Sequence, residues 1–170
     1  MDFERLAADR YSCRQISDRP VPEDLMNRIV DTAILAPTAV NYQPIRIFRL
    51  ASEEAKKAIH TVTHCTFGAP EFLVVGYREE GAWVREYDNR NFADVDASIV
   101  ATHIMLQIKD LGLDTTWVGH FDAPKLRKLL PALADYELIA VFPVGYAAED
   151  AVPAPRHSQR KAKAELYQVL

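Results

Sequence analysis

Cysteine is scarce in this chain. Only Cys13 and Cys65 occur among 170 residues, and they form no CxxC pair. Free thiols in a reducing cytoplasm are expected, with a single Cys13–Cys65 disulfide as the other arrangement the sequence allows. No apolar stretch approaches bilayer length, so no membrane span is predicted. The start, Met1-Asp-Phe-Glu-Arg-Leu6, has no basic head followed by an apolar run, unlike a secretory signal. Positive charge is not in excess: 20 Lys and Arg face 24 Asp and Glu, for a net charge of -4. That balance argues against a nucleic-acid binder and leaves room for local basic clusters that hold a small anion. None of the six glycines falls into a GxGxxG dinucleotide loop. Repeats and low-complexity segments are also absent.

What is present is an ordinary globular composition, 49% hydrophobic and 26% charged. The length suits one domain over residues 1–170 with a real core. Short opening residues 2–8 read as a helix. Residues 22–36 read as a stronger one, with Pro22 at its first position and an apolar stripe of Leu25, Met26, Ile29, Val30, Ala33 and Ile34. Ser52 is placed to cap a helix beginning at Glu53. Strands are predicted at 45–50, 72–77, 114–118 and 138–144, the second buried on both faces. Asp122 and Pro124 open another helix, and Ser158 opens a tail helix through Leu170. The longest helical signal, 94–110, is apolar nearly all round and ends at Gly112 in a left-handed cap. A chain this short has few helices to surround it, so burial against a second copy is expected, with His103 a core or interface histidine. The fold class is α+β, with helices packed on one mixed sheet.

Three places carry candidate chemistry. Arg10, Ser12 and Arg14 alternate along an extended segment and so share one side. They could cradle an anion, although a solvated basic face is the more frequent outcome of such local sequence. Ala36-Pro37-Thr38-Ala39-Val40-Asn41-Tyr42-Gln43-Pro44 is a stiff corner between helix and strand, bracketed by two prolines that stop one element and extend the next. His60, His64 and Cys65 invite a metal reading, but zinc needs three or four suitably spaced ligands, and no HExxH is present. No metal is expected. Residues 78–92 are charged and loop-like, and Trp83, Tyr87 and Phe92 either line a pocket or plug a gap.

Taken together, these pieces resemble the FMN-dependent nitroreductase family, in particular its short single-domain members. The likeness runs through Arg10-Tyr-Ser-Cys-Arg14, Pro20-Val-Pro22, the 36–44 corner, Asp96-Ala-Ser-Ile99, Leu111-Gly-Leu113, Trp117-Val-Gly-His-Phe-Asp122, Val144-Gly-Tyr146 and Pro155-Arg-His157. The resemblance implies a nitroreductase-like fold, with a central mixed, mainly antiparallel sheet flanked by helices, in an intertwined homodimer with FMN at the interface. It assigns Arg10, Tyr11, Ser12 and Arg14 to the first flavin-binding segment. Within it, Arg10 lies at the phosphate and Arg14 near N1 and O2, where reduced flavin is negative. Asn41 would address the pyrimidine edge, Gln43 counts among the cofactor-binding residues, and Pro37 and Thr38 would approach the flavin held mainly by the partner. Val118, Gly119 and His120 match the turn facing flavin N5. Arg156 matches the late phosphate-binding arginine, with His157 or Arg160 assisting.

The implied activity is NAD(P)H oxidation by a ping-pong route with a nitroaromatic or quinone acceptor. Other readings are a flavin reductase or dehalogenase of the same fold, or a flavin-binding protein for storage or sensing. This chain departs from the pattern at His120, where relatives often carry a small residue. His120 is either a proton donor or a pocket wall. Tyr42 and Ile45 also differ from many relatives, and a segment that covers the site in longer members is missing.

Overall fold

The structure is a computed structural model and describes residues 2–170. Helix α1 (Phe3–Asp9) begins where the Asp2 carboxylate accepts the Arg5 N–H at 2.9 Å. Helix α2 (Glu23–Ala33) starts behind Pro22, with Glu23 and Asp24 at its positive end. Met26, Ile29 and Ala33 are buried as predicted. Ile34 is not: the helix stops at Ala33, the backbone turns, and Ile34 is left 59% exposed.

Strand β1 (Ile45–Arg49) leads to α3 (Glu53–Val62), where Ser52 Oγ accepts the Ala55 N–H at 3.2 Å. Then follow β2 (Glu71–Tyr77) and a small hairpin, β3 (Val84–Arg85) and β4 (Arg90–Asn91). Next come α4 (Ala93–Asp110), α5 (Ala123–Leu129) and β5 (Glu137–Val144).

The sheet has the order β1-β2-β5, and both pairings are antiparallel. The parallel component of a mixed sheet does not occur among the described residues. Central β2 alternates its side chains between two cores, which explains its unbroken apolar sequence. Leu73 and Val75 pack with Phe142 against α2 and α4. Phe72 and Val74 pack with Val141 against α3 and α5. The register slips between Val75 and Gly76. Gly76 suits this point, because a Cβ would crowd Leu138 Cδ2 at 3.0 Å and Glu137 O at 3.1 Å.

Two predicted elements are corrected. Segment 114–118 is no strand; its ladder pairing is reduced to two isolated bridges, Val118 with Val141 of β5 and Asp114 with Gly145 just beyond β5. Its bonding is divided. Thr115 O accepts the Cys13 N–H at 3.0 Å, while Thr115 Oγ1 donates to Pro143 O at 2.7 Å. The tail helix shrinks to the single turn α6 (Lys163–Leu166), because every residue of 158–170 is exposed and no apolar surface among the described residues supports it.

Helix α4 fits its predicted span to one residue. Gly112 closes it at φ +74°, with Gly112 N–H bonded to Lys109 O. Only one face of α4 is fully buried. Leu106, His103 and Thr102 instead border an apolar hollow with Phe3 and Leu6.

Candidate functional site

The segment after α1 is anchored by its inward side chains. Cys13 and Ile16 are buried, and Ile16 N–H and Ser17 N–H bond Phe67 O and Tyr146 O at 2.9 and 2.8 Å. Arg10, Ser12 and Arg14 consequently face outward together, onto a cavity of about 410 Å³. From the far end of the sequence, a short turn over Pro155–Ser158 brings Arg156 and His157 to the same cavity, and Arg160 joins them. Four guanidinium groups and one hydroxyl thus converge, with no carboxylate in the lining. In a chain of net charge -4 this is a local reversal of sign, and it favours an anionic ligand. The solvated-face reading of Arg10, Ser12 and Arg14 gives way to a concave one.

Tyr11 stands behind this cavity rather than in its lining. Its ring meets His157 edge-on at 6.2 Å, and its hydroxyl lies 3.7 Å from Cys13 Sγ. Burial, then the Cys13 contact, pushes the phenol above its ordinary range, so it stays protonated.

A smaller hollow of about 120 Å³ is lined by Arg14, Cys65, Phe67, Thr116, Trp117, Val118, Gly119 and His120. Arg14 therefore borders both spaces. Val118 is held by a reciprocal pair of bonds to Val141, both 3.0 Å. At Gly119 no atom lies within 4 Å of where a side chain would begin, so the backbone is open to an incoming group.

The 36–44 corner is strained and held in several ways. Val40, Asn41 and Gln43 take φ of +52°, +57° and +53°. Such values are costly for side-chain-bearing residues, most of all for β-branched Val. Thr38 Oγ1 accepts the Gln43 N–H at 3.1 Å, and Gln43 Nε2 donates to Asn41 O and Oδ1 at 3.2 and 3.1 Å. Buried Asp96 accepts the Ala39 N–H at 2.8 Å through Oδ1, while its Oδ2 has no partner. Pro37, Thr38, Asn41 and Gln43 line neither cavity of the single chain.

Sequence reasoning missed the part played by Asp96. The available signal was an ionisable residue in the apolar row Ala93, Ala97, Val100 and Ala101. It also misgrouped the histidines. His60 turns away and meets Phe72 edge-on at 6.0 Å. His120 instead joins His64 and Cys65, the three ligand atoms lying within 4.8 Å of one another. Trp83 packs edge-on against Phe92 at 5.0 Å and Tyr87 is 88% exposed, so neither borders these cavities.

Comparison with known proteins agrees with this architecture. A solved nitroreductase family protein from Clostridium difficile 630 is 31% identical, with a TM-score of 0.90 over 99% of this chain and 98% of that one. A Methanothermobacter thermautotrophicus protein described as an NADH dehydrogenase or NAD(P)H nitroreductase is 28% identical over 162 residues, 88% of this chain and 80% of its own. An Exiguobacterium sibiricum protein solved in complex with FMN shares the fold at a TM-score of 0.85 and 19% identity, over 100% of this chain and 98% of that one. The nitroreductase family model matches residues 7–67 and 63–146, more than half of the sequence, and on that ground this chain belongs to the nitroreductase family.

Proposed function

We propose that the chain is an FMN-dependent NAD(P)H oxidoreductase, a single flavin-binding domain acting as a cytoplasmic homodimer. The observation that carries this reading is the convergence of Arg10, Ser12, Arg14, Arg156, His157 and Arg160 on one cavity. Its donor set fits a phosphate monoester: forked guanidinium donors and a hydroxyl, with no acid to repel the ligand.

In this reading Arg10, Ser12 and Arg156 hold the phosphate. Arg14, shared by both hollows, would supply the cation that opposes charge at N1 and O2 of bound flavin. Val118, Gly119 and His120 form the wall toward N5, and the open backbone at Gly119 admits close approach of a planar ring. His120 is exposed and stands at the edge of that wall, as a proton donor to the acceptor. Bound FMN supplies the redox chemistry, accepting electrons from NAD(P)H and passing them to a nitroaromatic or quinone in a second half-reaction. Asn41 and Gln43, exposed on the rigid corner, then address a flavin edge, while exposed Pro37 and half-buried Thr38 help close the partner's site. The apolar hollow beside α4 and the exposed Leu166, Tyr167, Val169 and Leu170 are the surfaces a second copy would cover.

The test is direct. Purified protein supplied with FMN should show a flavin spectrum that bleaches on anaerobic addition of NADH or NADPH. Failure to bind FMN sinks the proposal; bound flavin that neither nucleotide bleaches would favour a storage or sensing protein.

A further inference from the structure

His64, Cys65 and His120 form a cluster; His120 is shared with the wall toward N5, whereas His64 and Cys65 have no role in the flavin reading. Their ligand atoms, two imidazole nitrogens and one sulfur, all fall within 4.8 Å of one another. A tetrahedral ion with bonds of about 2.0–2.3 Å sets its ligands about 3.3–3.6 Å apart. The remaining gap, on the order of 1 Å, is within reach of side-chain rotation at an exposed site.

The two segments that carry these ligands are tied to each other. Thr63, buried between them, donates its hydroxyl to His120 O at 2.7 Å and accepts the Cys65 N–H at 3.1 Å. Asp122 N–H bonds Val62 O at 2.9 Å, and Lys125 Nζ bonds Thr61 O at 3.1 Å. One hydroxyl therefore fixes the backbone beneath two of the three ligands, and neighbouring bonds hold the rest of the frame. Preorganised support of this kind separates a site from side chains that merely meet.

The donor set selects the ion. Two imidazoles and a thiolate suit a borderline-soft divalent cation, and the absence of a carboxylate from the cluster disfavours magnesium and calcium. His64 and His120 are exposed and Cys65 half-buried. Three protein ligands with an open side match sites in which water or a small ligand completes the coordination.

We propose that His64, Cys65 and His120 bind a divalent cation of the zinc class, leaving a fourth position open to solvent. The geometry of the cluster stands without bound flavin, and an ion held there would take His120 out of the proton-donor role proposed above. On binding, the Cys65 thiol loses its proton to solvent and its sulfur lone pair forms the metal bond, with no change of oxidation state.

The test is titration of the full chain, flavin-free and FMN-saturated, with Zn²⁺ by calorimetry and with Co²⁺ by absorbance. One equivalent should bind, and Co²⁺ should give a thiolate-to-metal charge-transfer band. Cys65→Ser should abolish that band. His64→Ala and His120→Ala should each weaken Zn²⁺ binding at least roughly tenfold, and Thr63→Val by roughly tenfold through the lost support. His60→Ala should bind like the parent. Absence of the band, or Zn²⁺ affinity unchanged in the His64→Ala/Cys65→Ser double variant with parental circular dichroism, overturns the proposal. A chain that takes up FMN but no metal sinks this inference alone; one that takes up metal but no FMN sinks only the flavin reading.

Discussion

Asp96 Oδ1 accepts the backbone N–H of Ala39 at 2.8 Å, joining the first turn of α4 to a corner 57 residues earlier. Asp96 is 1% exposed, and its other oxygen has no partner. The corner it holds carries three left-handed residues that bear side chains. Left-handed backbone at these positions persists only where the surroundings over-determine it, and buried Asp96 anchors the corner at Ala39, next to the first of them.

Asp96→Ala should therefore destabilise the protein by about 1–3 kcal/mol, the loss of a charge-assisted bond to the partly buried Ala39 N–H. For a chain of this size each kcal/mol lowers Tm by about 2–4 °C. Asp96→Asn, which keeps an acceptor, should lose less than half as much. Asn41→Gly, which deletes the side chain but suits the left-handed backbone at φ +57°, should stay within about 1 kcal/mol of the parent while shifting flavin affinity or potential. Thermal melts beside flavin titrations separate the two effects. Equal losses of stability in Asp96→Ala and Asn41→Gly would contradict this division of labour.

The arginine cavity gives a second expectation. Arg10→Ala or Arg156→Ala should each raise the Kd for FMN by about tenfold to a hundredfold, the worth of one charge-assisted hydrogen bond. Added salt should weaken parental binding in the same direction. Fluorescence titration reads both. Unchanged Kd in both variants would remove these residues from the phosphate site.

The α4 face and the tail predict assembly. Sedimentation should find a species of twice the 19.2 kDa chain mass. Removing residues 163–170 should shift it toward monomer, because Leu166, Tyr167, Val169 and Leu170 have no apolar cover within the chain. A parental protein that stays monomeric at high concentration would count against the interface.

The hairpin offers a pH test. Arg85 hydrogen-bonds Asp88 and holds its carboxyl at about 2. An unfolded Asp titrates near about 3.9. The folded value is depressed, so the pair's contribution is present in full above about pH 4 and is lost as pH falls through about 2. NMR titration of the Asp88 side chain should show this late protonation, and Arg85→Ala should return it to the ordinary range.

Legibility in the sequence followed the range of the forces. Helix caps at Ser52 and Asp122, the stop at Gly112 and the two-faced strand β2 depend on residues a few positions apart, and all were readable. The tail helix and strand 114–118 were misread because periodicity cannot report what an element packs on. Leu166 and Tyr167 have no apolar surface to meet in this chain, and Thr115 divides its bonds between Cys13 and Pro143.

The site divides in the same way. Alternation alone set Arg10, Ser12 and Arg14 on one side of an extended segment, and two prolines alone made 36–44 a corner. Only the tertiary structure brought Arg156 and Arg160 to the first group, placed Asp96 beneath Ala39, and exchanged His60 for His120 beside Cys65. Local sequence sets which way a side chain points from its own element. Which distant element it meets is decided by how the two cores close around β2, and that depends on the whole chain at once.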